Sequence, residues 1–381
     1  MTALWSGAVL LAACSLAAFE SSAGYYFAIA ALPLIHGSGI FRSADAWVPR
    51  SIPRLFYLGV VPMLLVWALV EAFGNDASSA AKGILLMVAP WVLIAAGYDF
   101  ANRHRSTKPA MHLVTTFAIL AGVINIRQNG ELAPLALMSV AALLVISRTM
   151  IEKLATATLL SALAVLLTTG GSRTALLFAS MQGGALLAAG RSASRRLLSA
   201  VAVAVAASIG IALLQNNELL RSKIVAGLDE MVPAEFDADG FGGASNLRGY
   251  EAALVIRWYS ESAPHVLLFG GGPASYLDSG LPILSSDDPT RLFVFHNALF
   301  TYIVKFGIFG TGLVLVSFTL LAARLIKIGG AEGVKIALML AVASVVDGGG
   351  FSYVWIAVLF CVGVFMNVQG RYGARDEPTA G

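Results

Sequence analysis

His296 is the side chain of this sequence that is best suited to proton transfer. Histidine exchanges a proton near neutral pH, so it can accept the proton of an attacking hydroxyl group. Asn297 follows directly, and after nine further residues the chain reads Gly307-Ile308-Phe309-Gly310. A histidine taken alone more often has a structural role. The hypothesis that His296 is a general base therefore depends on its surroundings.

Arg173 is a candidate anion-binding residue, because it follows Thr168-Thr169-Gly170-Gly171-Ser172. A guanidinium group beside glycine amides suits phosphate oxygens. The alternative is an interfacial arginine with its stem against apolar groups and its charge in water. The residues themselves favour neither interpretation.

Two further arginines lie on a predicted amphipathic helix along the outer membrane surface. Four apolar residues recur there at helical spacing, namely Leu247, Tyr250, Leu254 and Trp258. Arg248 and Arg257 are two and a half helical turns apart, which places them on opposite faces. Arg248 borders the apolar stripe and is the preferred functional residue. Arg257 is expected to pair with Glu261 at i+4.

The composition places these residues on a membrane scaffold. The chain has 381 residues, of which 58% are hydrophobic and 12% charged, with a mean hydropathy of +0.79. Soluble domains carry about 25% charged residues. Spans through lipid must satisfy their own backbone hydrogen bonds, and a helix of about 20 apolar residues does so. We therefore predict an all-α polytopic membrane protein.

Twelve apolar runs predict twelve transmembrane helices, one of which is unusually long. The predicted spans are 3–20, 22–40, 55–74, 82–100, 110–126, 132–147, 154–170, 174–190, 197–214, 294–323, 335–347 and 351–368. The tenth is expected to bend near Gly307 and Gly310, since glycine weakens a continuous helix.

Charge placement fixes the predicted orientation. Most of the 25 basic residues fall on one side of the predicted spans, so both termini are expected in the cytoplasm. The organisation is then 1–214 with nine helices, a loop at 215–293 on the outer side, three helices at 294–370 and a cytoplasmic tail at 371–381. Ionisable residues within the spans are expected only near their ends, as at Asp347 and Glu71.

Three motifs follow one another on the predicted outer side. They are Gly171-Ser172-Arg173-Thr174-Ala175-Leu176-Leu177, then Arg248 with Tyr250, Pro264 and Gly270-Gly271-Gly272-Pro273, and finally His296-Asn297 with Gly307-Ile308-Phe309-Gly310. In this order they resemble the signatures of the O-antigen ligase and O-antigen polymerase family. The resemblance covers about Thr168–Gly310 in motifs and the whole chain in topology.

The resemblance implies a fold and an activity. The fold would be that of a membrane glycosyltransferase (GT-C-like) in the bacterial inner membrane. Such enzymes transfer a glycan from undecaprenyl pyrophosphate to an acceptor hydroxyl at the periplasmic face, with inversion and without a metal or other cofactor. By this resemblance Arg173 and Arg248 would hold the pyrophosphate and His296 would act on the acceptor. Further substrate contacts are expected at Ser172, Asn297 and Tyr276.

Several alternatives stay open at this point. A polymerase of surface or exported polysaccharide is favoured as the broader group, and an O-antigen ligase that transfers the glycan to lipid A-core is the alternative. A polytopic transporter or flippase is more distant, because neither repeated halves nor a charged midplane site is evident. Asp278 is either a contact to sugar hydroxyls or an ordinary loop residue. Expected partners are the lipid-linked donor, the acceptor, membrane lipids and a chain-length regulator, but no nucleic acid.

Overall fold

The computed structural model describes two long helices and several shorter segments between them. The described residues are 77–103, 247–278, 291–292, 295 and 297–346, with short helical pieces at 8–9, 12, 27–28, 31–32, 34–35, 359–360 and 362–367. In chain order the elements are α1 (Ala77–Arg103), α2 (Leu247–Glu261), α3 (Pro264–Phe269), β1 (Leu277–Asp278), β2 (Arg291–Leu292) and α4 (Ala298–Val346). Most of the twelve predicted spans lie outside the described residues.

Helix α4 is interrupted at two glycines. Gly307 and Gly330 have non-helical backbone angles, with φ of 63° and 54°. The predicted bend near Gly307 is confirmed, whereas Gly310 is helical. The helix continues past the predicted end at 323 to Gly329, and the second break, at Gly330, falls within the predicted connection 324–334. Strong helix formers such as Leu325 and Lys327 explain the continuation.

The first part of α4 has the properties of a membrane span. Among the described residues, Ala298–Gly329 is the one helix long and apolar enough to cross a membrane, judged by length and composition. Helix α1 covers the predicted fourth span and extends beyond it at both ends. Its Ile84 and Trp91 pack against a buried cluster of α4, and the Trp91 ring stacks on Phe318 at 5.2 Å between centroids.

Small residues let α1 approach the helical residues near the C-terminus. A methyl group at Gly97 would collide with the main-chain carbonyl of Phe360, and one at Gly363 would collide with that of Ile94. The rings of Phe100 and Phe360 meet at 5.5 Å beside this crossing. Close backbone contact at small residues is a common way for helices to pack in membranes.

A second hydrophobic cluster joins α2 and the strand pair to the start of α4. It consists of Val255, Leu277, Leu292, Phe295 and Val304, with Leu254, Trp258 and Phe300 packed around it. The predicted helix beginning at Leu247 is confirmed as α2. Its core-facing side carries Ala252 and Val255, while the predicted apolar stripe lies at the edge of that side. Helix α2, the β1–β2 pair and α4 thus form one packed unit.

Candidate functional site

The glycine-rich turn after α3 is docked on the bend in α4. In an unbroken helix the carbonyls of Val304 and Lys305 would accept hydrogen bonds from the amides four residues later. The bend at Gly307 breaks this ladder. The Gly271 amide instead donates to the Val304 carbonyl at 2.8 Å, and the Gly272 amide donates to the Lys305 carbonyl at 3.0 Å. The glycine-rich turn and the bend at Gly307 come from two separate sequence motifs, and these hydrogen bonds join them. We call this contact the joint.

Glycine is required on both sides of this joint. Gly270 and Gly307 have φ of 84° and 63°, a region that disfavours side chains. A methyl group at Gly307 would lie 2.5 Å from the Leu268 carbonyl, and one at Gly270 would strike the Lys305 carbonyl. The Gly270 amide donates to Val266, so the amides of Gly270, Gly271 and Gly272 are all engaged within the protein. The turn acts as a structural joint and not as an anion cradle.

Lys305 fixes the remainder of the turn. It is 1% exposed, and its ammonium donates to the carbonyls of Pro273 at 2.8 Å and Ser275 at 2.9 Å. The expectation that ionisable residues lie only near span ends is wrong for this residue, which falls well inside the predicted span 294–323. Lys305 can be recognised in the sequence, because it is the only charged residue in that long apolar run. A buried ammonium persists because main-chain carbonyls replace its water.

Beyond the joint, the short strand pair presents polar side chains outward. Leu277 pairs with Leu292 and Asp278 with Arg291, so the leucines point into the core and the charged residues outward. The Arg291 guanidinium lies 4.3 Å from the centroid of the exposed Tyr276 ring. Such stacking holds an aromatic ring in place at a solvated surface. Sequence reasoning missed Arg291, because the two strands are too short for an alternating pattern.

Tyr250 of α2 adjoins this polar surface. Partial burial raises the pKa of its phenol above the usual value, and the negative charge of Asp278 raises that pKa further. The Arg257 guanidinium acts on the Tyr250 pKa in the opposite direction. The phenol is therefore a weaker acid than that of an exposed tyrosine, and it can act as a hydrogen-bond donor. Tyr250, Tyr276, Asp278 and Arg291 are accordingly described as the polar platform.

The residues on either side of His296 are held in place. The buried Phe295 donates its amide hydrogen to the Thr301 hydroxyl at 3.0 Å. Asn297 caps α4, because its Oδ1 accepts from the Leu299 amide at 3.0 Å. The predicted site residues His296, Ser172 and Arg173 themselves lie outside the described residues.

The backbone of Arg248 belongs to α2, but its side chain is not among the parts that the structure describes. By helical register, position 248 falls on the side of α2 that carries Ala252 and Val255. Arg257 is on the opposite side, where its exposed guanidinium binds Glu261 at 3.0 Å. The predicted i+4 ion pair is thus confirmed.

The described part of the site offers donors, acceptors and aromatic faces more than metal ligands. Within the ranges that the structure describes, no three His, Cys, Asp or Glu side chains are grouped to hold a metal ion. No model of a known protein family matches the chain, and no curated protein gives a significant match. A functional assignment therefore depends on the motifs and on the geometry of the segments that join α1 and α4.

Proposed function

We propose that this chain is an all-α membrane glycosyltransferase that uses a glycan linked to undecaprenyl pyrophosphate. The reaction takes place at the extracytoplasmic face of the bacterial inner membrane. The preferred activity is polymerisation of a polysaccharide such as O-antigen or exopolysaccharide. Ligation of the glycan to lipid A-core is the alternative activity of the same site.

One structural observation supports the proposal most strongly. The helix that carries Arg248, the strand pair and the residue before His296 share a single hydrophobic cluster, built around Val255, Leu277 and Phe295. This cluster also contains Val304, near the start of the candidate span. Segments from separate parts of the sequence are therefore packed together, which supports a common site for a lipid-linked substrate.

The proposed reaction is a displacement that inverts the configuration of the anomeric carbon. His296 takes the proton of the acceptor hydroxyl while that oxygen attacks the anomeric carbon. The bond from this carbon to the pyrophosphate oxygen breaks, and negative charge develops on undecaprenyl pyrophosphate. Arg173 and Arg248 stabilise the developing charge, because preorganised cations aimed at a leaving group lower the barrier.

The polar platform suits the glycan part of the substrates. Sugars present hydroxyl groups along their edges and apolar C–H faces, which match carboxylates and aromatic rings respectively. Tyr276 exposes a ring that Arg291 holds from one side, and Asp278 supplies an exposed carboxylate beside it. We assign sugar contacts to Tyr276 and Asp278, and a donor role to the protonated Tyr250 phenol.

The test is transfer by the purified full chain from a lipid-linked glycan. We expect His296→Ala, Arg173→Ala and Arg248→Ala to abolish transfer while the variants remain inserted and folded. Arg257→Ala is the matched control on the opposite face of α2, and it should keep most of the activity. Equal loss in Arg248→Ala and Arg257→Ala would contradict the assignment of Arg248.

The products distinguish the candidate activities. A ladder of glycans formed from the lipid-linked repeat alone identifies a polymerase. A product that forms only after addition of lipid A-core identifies a ligase. Counterflow of the lipid-linked glycan in proteoliposomes carrying His296→Ala, with no transfer by the parent protein, identifies a transporter and overturns the proposal.

A further inference from the structure

An apolar corner is exposed where α3 meets the bend in α4. Its members are each between 44% and 52% exposed, and they are Leu268, Phe269, Ile308 and Phe309. The Phe269 and Phe309 rings contact each other edge to face at 6.2 Å. We call these four residues the apolar corner. They are more exposed than large apolar residues of a soluble core would be.

The corner is rigidly attached to the rest of the protein. The main chain of Leu268 lies against Gly307, and the turn after Phe269 is hydrogen-bonded to Val304 and Lys305. None of the six residues of α3 is buried, although its last four are apolar. The packing of the joint therefore fixes the four apolar side chains in their exposed positions.

The distribution of charge along α4 sets the depth of the corner. Lys305 and Arg324 flank an uncharged run of about 18 residues, which rises about 27 Å as a helix. This is close to the hydrocarbon thickness of about 30 Å. Two hydroxyls within the run are satisfied by the helix itself, since Ser317 and Thr319 donate to the carbonyls of Leu313 and Leu315 at 2.8 Å. Gly307 then falls at the outer edge of the hydrocarbon.

The exposed apolar surface continues from the corner along α4. Leu315, Val316 and Ile326 are also large and exposed, and they lie farther along the same candidate span. Before the bend, α4 instead buries Thr301 and Lys305. The large exposed apolar residues of α4 begin directly after Gly307, at Ile308, which is where a helix would enter lipid.

We propose that the apolar corner is seated in lipid hydrocarbon at the outer boundary of the membrane, and that α3 anchors the outer loop there. The partner is the acyl-chain region of bilayer lipids. The inference depends on the proposal that Ala298–Gly329 spans the membrane. Its consequence is that the polar platform is held at a fixed height above the lipid, which suits a substrate with a lipid tail and a water-exposed glycan.

Nitroxide labels on the full chain test this placement. In a Cys14→Ala and Cys361→Ala background, Leu268→Cys and Ile308→Cys are labelled and reconstituted into phosphatidylcholine–phosphatidylglycerol vesicles. Collisions with oxygen report hydrocarbon, and collisions with a water-soluble nickel chelate report water. Ile256→Cys, an exposed apolar position on α2, is the matched control above the membrane. Leu315→Cys is the control within the hydrocarbon.

We expect the oxygen-to-nickel ratio at 268 and 308 to be several-fold higher than at 256 and lower than at 315. A ratio at 268 equal to that at 256, with 315 still in hydrocarbon, overturns the anchor but leaves the span intact. A water-like ratio at 315 overturns the span and with it the proposed function. Dipolar broadening between labels at 268 on different molecules would show that a second copy covers the corner, which also overturns the inference.

Discussion

The ammonium group of Lys305 donates a hydrogen bond of 2.8 Å to the main-chain carbonyl of Pro273. These two residues connect the candidate span to the glycine-rich turn, and a second bond from the same ammonium reaches Ser275. The same carbonyl oxygen of Pro273 also lies against Gly83 of α1. The turn is thus enclosed between two long helices, and a buried charge holds it together with the main-chain hydrogen bonds of Gly271 and Gly272.

Replacement of Lys305 should loosen this connection. Lys305→Met removes both hydrogen bonds and leaves two carbonyls without their donor, so we expect a loss of about 2–3 kcal/mol in unfolding free energy. Transfer activity should fall with it, because the strand pair follows the turn. Thermal denaturation in detergent measures the first effect. Lys327→Met, an exposed lysine of the same helix, is the control, and an equal loss there would contradict the assigned role.

The bend at Gly307 gives a second prediction. Gly307→Ala places a side chain at a φ of 63° and against Leu268, so we expect destabilisation of at least about 1–2 kcal/mol. Gly312→Ala is the matched control in the same helix, because nothing beyond the neighbouring helix backbone lies within 4 Å of the added methyl group. Alanine there should be neutral or stabilising by up to about 1 kcal/mol. The two melting temperatures should therefore move in opposite directions or differ clearly, and similar values would exclude the proposed strain.

Local patterns in the sequence predicted the elements that depend on local interactions. Helical spacing of apolar residues predicted α2, the i+4 rule predicted the pair of Arg257 and Glu261, and glycine content predicted the bend at Gly307. Each of these depends on residues within a few positions of one another.

The joint could not be predicted in this way. The donors Gly271 and Gly272 are more than thirty residues from the carbonyls that they bind, and no periodic pattern relates the two segments. The strands β1 and β2 have two residues each, which is too short for a recognisable alternation. Lys305 was identifiable as a charge in an apolar run, but its partners are main-chain carbonyls, which any residue could supply.

The Tyr250 phenol should ionise at a higher pH than the phenols of exposed tyrosines. Because burial and the Asp278 charge raise its pKa, the folded protein keeps this phenol protonated at a pH where exposed tyrosines ionise. The unfolded chain loses the proton first as the pH rises. This contribution to stability is therefore complete below about pH 10 and is lost as the pH rises through the folded-state pKa.

Ultraviolet difference titration against Tyr250→Phe measures this ionisation directly. Asp278→Asn should lower the Tyr250 pKa only in part, since burial is the larger cause. Arg257→Ala should raise it, because the neighbouring positive charge is removed. A Tyr250 phenol that ionises together with the exposed tyrosines would contradict both the burial and the position of Asp278 beside it.

Asn297 allows its structural and substrate roles to be separated. Its Oδ1 caps α4 through the Leu299 amide, so Asn297→Ala should cost about 1 kcal/mol of stability. Asn297→Ser restores a capping oxygen but not the amide donor, so its melting temperature should match that of the parent protein. If the side chain also binds substrate, as proposed, Asn297→Ser should raise KM for the lipid-linked glycan while it remains as stable as the parent. An unchanged KM in Asn297→Ser would limit Asn297 to capping, and a loss of stability in that variant would show that the cap is not the source of the alanine effect.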